Sequence, residues 1–348
     1  MTPKISVCVT TFNRPKLLDA MLESVLAQNI APYEIVICEN NSPRRLETRE
    51  VVQRHIDRNP GLIRYYENAA NLGYDGNIRE VVSKATGDYC FFMSDDDLMA
   101  PRAIETVAKA LERHANVGVI MRSYLAFNGT PDHVDQVFRY FDQERVFPPG
   151  PETMITFFRR CIVISGLVLH RELSQKYATD RLDGSLLYQL HLAGHILRTM
   201  KGLFLPDILS YYRNGGTPDF GLSPAEQGLF VPQQQPPASS VHFVRGFLRV
   251  AKDLEDSSGL KVYQPIFRDQ ANYSYPLLWV QAKKGKLTFL RYATDLGRLG
   301  FWKNPMYVLY FTLLFCVGRD ASDGLIRLIK RVLGHTPRIG YVYDGATV

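Results

Sequence analysis

Three consecutive carboxylates, Asp95, Asp96 and Asp97, directly follow a short apolar run in this chain of 348 residues. Adjacent carboxylates repel one another, so placing them together costs free energy unless a cation or several hydrogen-bond donors neutralise them. A Mg²⁺ or Mn²⁺ ion that bridges substrate phosphates needs only one or two protein carboxylates. The triplet therefore indicates a divalent-metal site. An acidic cap for the following helix is the alternative.

Three more polar segments carry side chains suited to a nucleotide or a sugar. Residues 71–77 (Asn-Leu-Gly-Tyr-Asp-Gly-Asn) combine a glycine turn, amide side chains and the start of a helical segment, which suit phosphate oxygens or sugar hydroxyls. Glu39 ends an apolar run, where a carboxylate would accept a hydrogen bond from a base N–H or a ribose hydroxyl. Thr10 and Arg14 follow the first apolar run. Plain turns and helix caps are the alternative interpretation of each segment.

The four segments stand at the ends of strand-like runs that alternate with helical ones. The predicted strands are residues 5–10, 33–38, 62–66, 88–93 and 117–121, and the predicted helices are residues 14–28, 45–57, 74–85 and 101–113. This alternation indicates parallel βαβ units and hence an α/β fold. In such sheets ligands bind at the carboxyl ends of strands, which is where the polar segments lie.

The sequence pattern divides the chain into three parts. Residues 1–216 carry the alternating strands and helices and predict a catalytic domain. Residues 217–240 contain the run Pro-Gln-Gln-Gln-Pro-Pro and indicate a loop or linker. Residues 241–348 show helical periodicity and predict an α-helical C-terminal region.

The charge of the chain is concentrated at its C-terminus. The hydrophobic fraction of 46% and charged fraction of 22% exclude wholesale disorder. The net charge is +6, yet residues 281–348 alone carry +7. Basic residues there alternate with large aliphatic and aromatic ones, which favours an anionic membrane surface over nucleic acid. Packing on the catalytic core or on a second copy of the chain is the alternative.

Cysteine usage and the N-terminus indicate the cytoplasm. The five cysteines are widely spaced and show no zinc-ligand pattern, and their odd number suits a reducing compartment. The first residues lack the apolar core of a signal peptide. The longest apolar stretch, residues 305–318, is shorter than the roughly 20 residues that span a membrane. We therefore expect a cytoplasmic protein, peripheral on the inner face of the cytoplasmic membrane.

Together, the four polar segments resemble the family 2 glycosyltransferases of the GT-A fold. Residues 7–15 (Val-Cys-Val-Thr-Thr-Phe-Asn-Arg-Pro) resemble the first βα unit of that family, and residues 39–42 its Asp-Asn-Ser-Ser turn. Residues 71–73 resemble its Asn-x-Gly turn, and residues 92–97 its metal-binding DXD motif. The resemblance covers residues 3 to about 122 well and reaches about 213 more weakly. Glu39 stands where Asp is usual, and Ser94 stands where the longer motif begins with Asp.

The resemblance implies a mixed, mostly parallel sheet flanked by helices and a metal-dependent, inverting glycosyltransferase. Such an enzyme moves a sugar from a nucleotide-diphosphate sugar to a hydroxyl of a glycan or lipid-linked glycan, here in bacterial surface-polysaccharide biosynthesis. It implies Asp97 as the ligand of Mn²⁺ or Mg²⁺, and Asp95 or Asp96 as the contact to ribose or sugar. The other implied donor contacts are Thr10, Arg14, Glu39, Asn71, Asn77 and Arg213.

The resemblance also implies a carboxylate base that takes the proton of the acceptor hydroxyl. Asp183, which lies 86 residues after Asp97, is the predicted base, and Asp180 is the alternative. A helix-capping role is the structural alternative for Asp183. His191 and His195 share one face of the next predicted helix. We expect them to be packed or solvated, with His191 contacting the acceptor as the alternative.

Two other functions remain as alternatives. The first is a non-catalytic, membrane-docked nucleotide-sugar-binding or scaffold protein, against which the intact acidic triplet and Asp183 argue. The second is a sugar nucleotidyltransferase, which would want a glycine-rich loop bearing Arg or Lys after the first strand. The chain has Thr-Thr-Phe-Asn-Arg-Pro at that position.

Overall fold

A computed structural model describes residues 2–216 and 218–333 of the chain. Ten strands in these residues form one sheet: β1 Ile5–Thr11, β2 Glu34–Glu39, β3 Ile63–Glu67, β4 Tyr89–Ser94, β5 Leu98–Met99, β6 Val117–Phe127, β7 Val134–Phe138, β8 Arg145–Phe147, β9 Val168–His170 and β10 Lys201–Arg213. The helices are α1 Pro15–Leu26, α2 Arg45–Arg58, α3 Gly73–Lys84, α4 Ala103–Arg113, α5 Pro151–Phe158, α6 Arg171–Lys176, α7 Tyr188–Ile196, α8 Pro237–Ser258, α9 Tyr263–Asn272, α10 Tyr275–Trp279, α11 Lys286–Arg298, α12 Pro305–Cys316 and α13 Arg319–Leu333.

The sheet is mixed, with the order β3-β2-β1-β4-β9-β6-β10-β5, and with β7 beside β6 and β8 beside β10. Strands β1 to β4 run parallel, β10 runs parallel to β6, and β9 is antiparallel to both of its neighbours. Thr10 is in register with Ser94, and Thr11 with Glu39. The carboxyl ends of β1, β2 and β4 therefore meet at one edge, and they bring the predicted polar segments together.

The central strands form because their residues suit a sheet that is covered on both faces. β1 and β2 are runs of Ile, Val and Cys that are buried almost throughout. On one face the core contains Leu18 of α1 and Ile104 of α4. On the other face it contains Ile78 of α3 and continues through α7 into the C-terminal helices.

The C-terminal helices pack directly on the α/β part. Gly194 of α7 faces Leu254 of α8 so closely that a Cβ at Gly194 would lie 2.5 Å from a Leu254 methyl carbon. Leu254 is fully buried in the same core cluster as Ile78. The two parts of the chain therefore share one hydrophobic core.

Several elements differ from the sequence pattern. β6 extends to Phe127, beyond the strand predicted over residues 117–121, and β7 and β8 follow it. Within the region of predicted helical periodicity, residues 262–283 form two helices, α9 and α10, because Pro276 in the first turn of α10 cannot donate a helical hydrogen bond. The last basic residue of the predicted charged tail, Arg338, lies outside the described residues. Among the helices of residues 2–216 and 218–333, none is both long and apolar enough to cross a membrane.

Candidate functional site

A cleft of about 110 Å³ lies at the carboxyl ends of β1, β2 and β4. The segment between β10 and α8, which we call the covering segment (residues 214–216 and 218–236), closes its outer side. The cleft is lined by strand ends, the start of α3 and the covering segment: Thr10, Thr11, Phe12, Arg14, Asn40, Asn71, Gly73, Tyr74, Asn77, Ser94, Asp95, Pro218, Asp219, Phe220 and Glu226. The polar segments predicted from the sequence therefore face one another across a single cleft.

Arg14 binds the first two acids of the triplet. Its Nη1 lies 2.5 Å from Asp96 Oδ2 and 3.3 Å from Asp95 Oδ1. Asp95 Oδ2 also accepts from the Thr11 hydroxyl at 2.8 Å and from the Phe12 amide at 3.0 Å. Burial raises the pKa of Asp95 to about 6, although the positive charge of Arg14 opposes the shift. Asp95 thus holds the loop after β1 against the turn after β4.

Asp97 is the most buried acid of the triplet. It is 2% exposed, and its Oδ1 accepts from the backbone N–H of Arg213 at 2.8 Å. Burial and the nearby charge of Asp96 raise the pKa of Asp97 to about 7. Asp96, by contrast, keeps a side chain that is 21% exposed and accepts from the Ser94 hydroxyl. Asp96 is therefore more accessible to a bound cation than Asp97, the ligand predicted from the sequence.

Arg213 lies beside the triplet at the end of β10. Its Nε donates to the backbone oxygen of Asp96 at 2.9 Å, and its guanidinium lies 4.6 Å from the centre of the Phe127 ring. Its Nη1 donates to the backbone oxygen of Gly129. The side chain thus joins the acidic turn to the loop after β6, and it adds a second positive charge near the acids.

An asparagine network forms the opposite wall of the cleft. Asn40 Nδ2 donates to Asn71 Oδ1 at 2.9 Å, and Asn40 Oδ1 accepts from Asn68 Nδ2 at 3.0 Å. Asn68 also donates to Asn77 Oδ1, and Asn77 donates to the backbone oxygen of Cys38. The network fixes the turn before α3 relative to the end of β2. It places amide groups and the N-terminus of α3 where a phosphate or a hydroxyl would be bound.

Glu39 lies behind this wall and does not line the cleft. It is fully buried, and its Oε1 accepts from the Ser42 amide at 2.8 Å. Its Oε2 is buried without a hydrogen-bond partner. Asn40, the next residue, takes the lining position instead. The contact of Glu39 with a nucleotide stays a prediction. Such a contact would require the end of β2 to open.

Asp183, the base predicted from the sequence, also lies outside the cleft lining. Both of its oxygens accept from Arg79, at 2.7 and 2.9 Å. The start of α7 is held instead by Asp75, which accepts from the amides of Leu186 and Tyr188. Asp183 would have to leave Arg79 before it could reach an acceptor in the cleft, so its role also stays a prediction.

The covering segment is attached to the cleft by Glu226. This carboxylate is 3% exposed and accepts from the amides of Tyr74 at 2.6 Å and Gly221 at 3.0 Å. Phe220 packs edge-on against Tyr74 with ring centres 5.7 Å apart. Asp219 faces the cleft and accepts from Gln233 Nε2 at 3.0 Å. The segment predicted as a plain linker therefore supplies two carboxylates to the site.

His191 and His195 are packed in the core of α7 and α8. His191 Nε2 lies 2.9 Å from the backbone oxygen of Tyr177, and the ring of His195 stacks on the ring of Tyr177. Both histidines are under 5% exposed, and neither lines the cleft. The two histidines are therefore packed, which is one of the arrangements expected from the sequence.

Sequence reasoning found part of the site and missed part. It selected Thr10, Arg14, Asn71, Asn77 and Asp95, which all line the cleft. It missed Asn40, Asn68, Asp219 and Glu226. The sequence does contain a signal for Asn40. Side chains of adjacent residues at a strand end point to opposite sides, so either Glu39 or Asn40 had to be considered as the residue that faces the cleft. Nothing local to Asp219 or Glu226 indicates that their segment folds over a cleft more than a hundred residues away in sequence.

Residues 6–164 match the protein-family model described as Glycosyl transferase family 2. This match confirms the family resemblance for that part of the chain, which includes the acidic triplet and the asparagine network. Two curated relatives match over shorter stretches. The GalNAc(5)-diNAcBac-PP-undecaprenol beta-1,3-glucosyltransferase of Campylobacter jejuni is 34% identical over 117 residues, which are 33% of this chain and 37% of that protein.

The second relative is the poly(ribitol-phosphate) beta-N-acetylglucosaminyltransferase TarP of Staphylococcus aureus. It is 34% identical over 107 residues, which are 29% of this chain and 31% of that protein. The chain therefore spans only about a third of the length of these two curated relatives.

The fold is also found among solved structures. S. aureus TarS 1-349 in complex with UDP-GlcNAc superposes with a TM-score of 0.60 over 95% of this chain and 92% of that one, at 16% sequence identity. This likeness confirms the predicted GT-A fold. At such low identity it concerns the fold alone.

Proposed function

We propose that this chain is a glycosyltransferase that moves a sugar from a nucleotide-diphosphate sugar to a hydroxyl of a glycan or lipid-linked glycan in bacterial surface-polysaccharide biosynthesis. The observation that carries the proposal is the juxtaposition of the acidic turn, through Asp95, and the asparagine network across one cleft. The family match over residues 6–164 and the GT-A fold support it. The names of the C. jejuni and S. aureus relatives support the proposed setting.

In this proposal the donor lies between the two walls of the cleft. The amides of Asn40 and Asn71 and the helix N-terminus near Asn77 would meet hydroxyl and phosphate oxygens. Thr10 and Arg14 would bind the nucleotide from the end of β1. The covering segment closes the outer side and would exclude water from the reacting bond.

The acidic triplet fits a divalent cation. Three acids stand together, and Arg14 pairs with Asp95 and Asp96, whereas Asp97 is held by a backbone amide. Because Asp96 is the more accessible acid, we propose Asp96 as the principal ligand of Mn²⁺ or Mg²⁺. Asp97, predicted from the sequence, would act beside it after losing its bond to the Arg213 amide. When bound, such an ion would stabilise the negative charge on the leaving diphosphate.

A base must take the acceptor proton from the side opposite the leaving group. We propose Asp219, because it faces the cleft and is held in place by Gln233. The acceptor oxygen attacks the anomeric carbon, its proton passes to Asp219, and the bond from that carbon to the diphosphate breaks with its electron pair. A single displacement of this kind inverts the anomeric centre. Asp183 is the alternative base, and it requires release from Arg79.

We further propose that the C-terminal helices bind an anionic membrane surface. Leu309 of α12 is 52% exposed and Leu287 of α11 is 62% exposed. Lys286 lies 5.7 Å from the ring of Phe315, so a cation lies directly beside the apolar helix. Exposed apolar side chains next to basic ones suit an interface with anionic lipid. Association with a second copy of the chain is the alternative use of this face.

A screen of nucleotide sugars for metal-dependent thermal stabilisation tests the donor part of the proposal. One nucleotide sugar should raise the unfolding temperature in the presence of Mn²⁺ or Mg²⁺, and the shift should disappear with EDTA. Release of the nucleotide diphosphate by the wild type would then separate the enzyme from a non-catalytic scaffold protein. Production of a nucleotide sugar from a sugar phosphate would instead identify a nucleotidyltransferase. If none of the nucleotide diphosphates tested binds to the chain, the proposal is contradicted.

A further inference from the structure

A second and larger space, of about 550 Å³, lies next to the cleft. We call it the cavity. It is enclosed by the covering segment on one side and by residues of α8, α10 and α11 on the other. Its volume falls in the range of about 300–1,000 Å³ that is usual for small-molecule sites. All of its described lining residues lie beyond residue 164, where the family match ends.

The cavity opens beside the acidic triplet. Phe220 separates the two spaces, with its ring 5.7 Å from Tyr74 in the cleft and 6.2 Å from Phe230 in the cavity. Gly216 also lines the cavity, and a Cβ built on it would lie 3.9 Å from Asp96 Oδ2. A ligand in the cavity would therefore have one end near the place where the donor phosphates are proposed to bind.

The lining is uncharged and combines apolar groups with amides. None of the described residues that line the cavity carries a formal charge. Helices α8, α10 and α11 contribute apolar groups that include Phe243, Leu277 and Tyr292. The covering segment contributes three consecutive glutamines, at residues 233–235, beside apolar residues such as Phe230. Amides both donate and accept hydrogen bonds, so the glutamines match hydroxyl groups.

We infer that the cavity binds the acceptor of the proposed reaction as an uncharged saccharide. A sugar ring has C–H faces that suit the apolar groups and hydroxyl groups that suit the glutamine amides. Gln233 connects the cavity to the cleft because its Nε2 donates to Asp219, the proposed base. The inference rests on the proposed function and adds to it the chemical class of the acceptor.

The same lining disfavours two other classes of ligand. A phosphate group would lose its hydration without meeting a cation among the described lining residues, and Asp219, which accepts from Gln233, would repel it. The chain would thus differ from the S. aureus relative whose name specifies poly(ribitol-phosphate). A prenyl chain would desolvate the glutamine amides without replacing their hydrogen bonds.

A glycan array probed with the labelled full-length chain tests this inference directly, since it needs no turnover. The array should contain neutral oligosaccharides, phosphorylated and uronic-acid glycans, and ribitol phosphate oligomers, with farnesyl phosphate as a soluble competitor. We expect selective binding of one or more neutral oligosaccharides and no competition by farnesyl phosphate. Leu277→Trp, which fills the cavity, should weaken that binding at least tenfold. Leu46→Trp, at an exposed position on α2, should leave it unchanged.

A second variant protects the test against misfolding. Gln234 is exposed at the mouth of the cavity, so Gln234→Lys should fold and should raise the binding of phosphorylated glycans relative to neutral ones. Preference of the wild type for anionic glycans, displacement by farnesyl phosphate, or no binding of any neutral glycan would overturn the inference. Donor stabilisation is measured on the same preparation. A wild type that binds neutral glycans but no nucleotide sugar would contradict the proposed function and would leave the cavity as a saccharide site without a reaction.

Discussion

Arg14 Nη1 and Asp96 Oδ2 lie 2.5 Å apart and join the loop after β1 to the turn after β4. The same guanidinium reaches Asp95, so one positive charge serves two neighbouring carboxylates. An electrostatic contact between the loop after β1 and the acidic turn after β4 therefore holds the site together before any ligand binds. A bound cation would compete with Arg14 for Asp96. It would therefore alter the ion pairs that Arg14 makes with Asp95 and Asp96.

Replacement of Arg14 should destabilise the fold as well as the site. Arg14→Ala leaves Asp95, which is 4% exposed, without its counter-charge, and we expect the free energy of unfolding to fall by about 1–3 kcal/mol. Urea denaturation followed by circular dichroism measures the change. Arg44→Ala is the matched control, because it breaks the exposed pair with Glu47 and should have little effect. Equal losses of unfolding free energy in the two variants would show that the Arg14 contact stabilises the fold no more than an exposed ion pair does.

The choice of base is tested by a pair of isosteric variants. Asp219→Asn should lower kcat by about 100-fold or more while donor binding is retained, because only the proton acceptor is lost. Asp183→Asn should have a much smaller effect, since Asp183 is paired with Arg79 outside the cleft. Steady-state rates and donor affinities of both variants provide the measurement. The reverse order of effects would restore Asp183, the base implied by the family resemblance.

The two candidate bases show what the sequence can and cannot predict. The alternation of apolar runs and the rules of parallel sheets were enough to bring Thr10, Asn71 and Asp95 to one edge, because those positions follow from local periodicity. The covering segment has no such pattern, and Glu226 reaches Tyr74 across 152 residues. Asp183 has the expected spacing, yet Arg79, 104 residues earlier, binds it. The positions of Glu226 and Asp183 are therefore set by contacts with residues far away in the sequence, which local patterns do not reveal.

The stability of the fold should depend on pH through His195. Burial, with a smaller effect of His191, lowers the pKa of His195 to about 3, whereas an unfolded histidine has a pKa of about 6.5. Between these values the unfolded chain binds a proton that the folded chain does not. The free energy of unfolding should therefore fall as pH decreases below about 6.5.

His195→Phe keeps the ring beside Tyr177 and removes this titration. Its free energy of unfolding, measured by urea denaturation from pH 5 to pH 7.5, should vary less with pH than that of the wild type. His133→Phe, at an exposed loop position, should keep the wild-type slope. Identical slopes for His195→Phe and the wild type would show that His195 does not contribute.

Membrane association should depend on exposed apolar residues of the C-terminal helices. The double variant Leu287→Glu/Leu309→Glu should lose most of its flotation with vesicles of phosphatidylglycerol, because charged side chains oppose insertion at the interface. Leu46→Glu changes an equally exposed leucine on α2 and should float like the wild type. Unchanged flotation of the double variant, or its conversion from dimer to monomer in sedimentation, would favour a packing role for this face.

The most direct test of the account is the rate at which the chain releases nucleoside diphosphate from a panel of UDP-, GDP-, ADP- and dTDP-sugars, with Mn²⁺ or with EDTA. We expect one donor to be cleaved only in the presence of the metal, and Asp96→Asn to reduce that rate by about 100-fold. Asp97→Asn should be less affected, since Asp97 is buried against the Arg213 amide. A larger loss in Asp97→Asn would transfer the ligand role to Asp97. Release that does not depend on metal, or no release and no binding with any donor, would contradict the central claim.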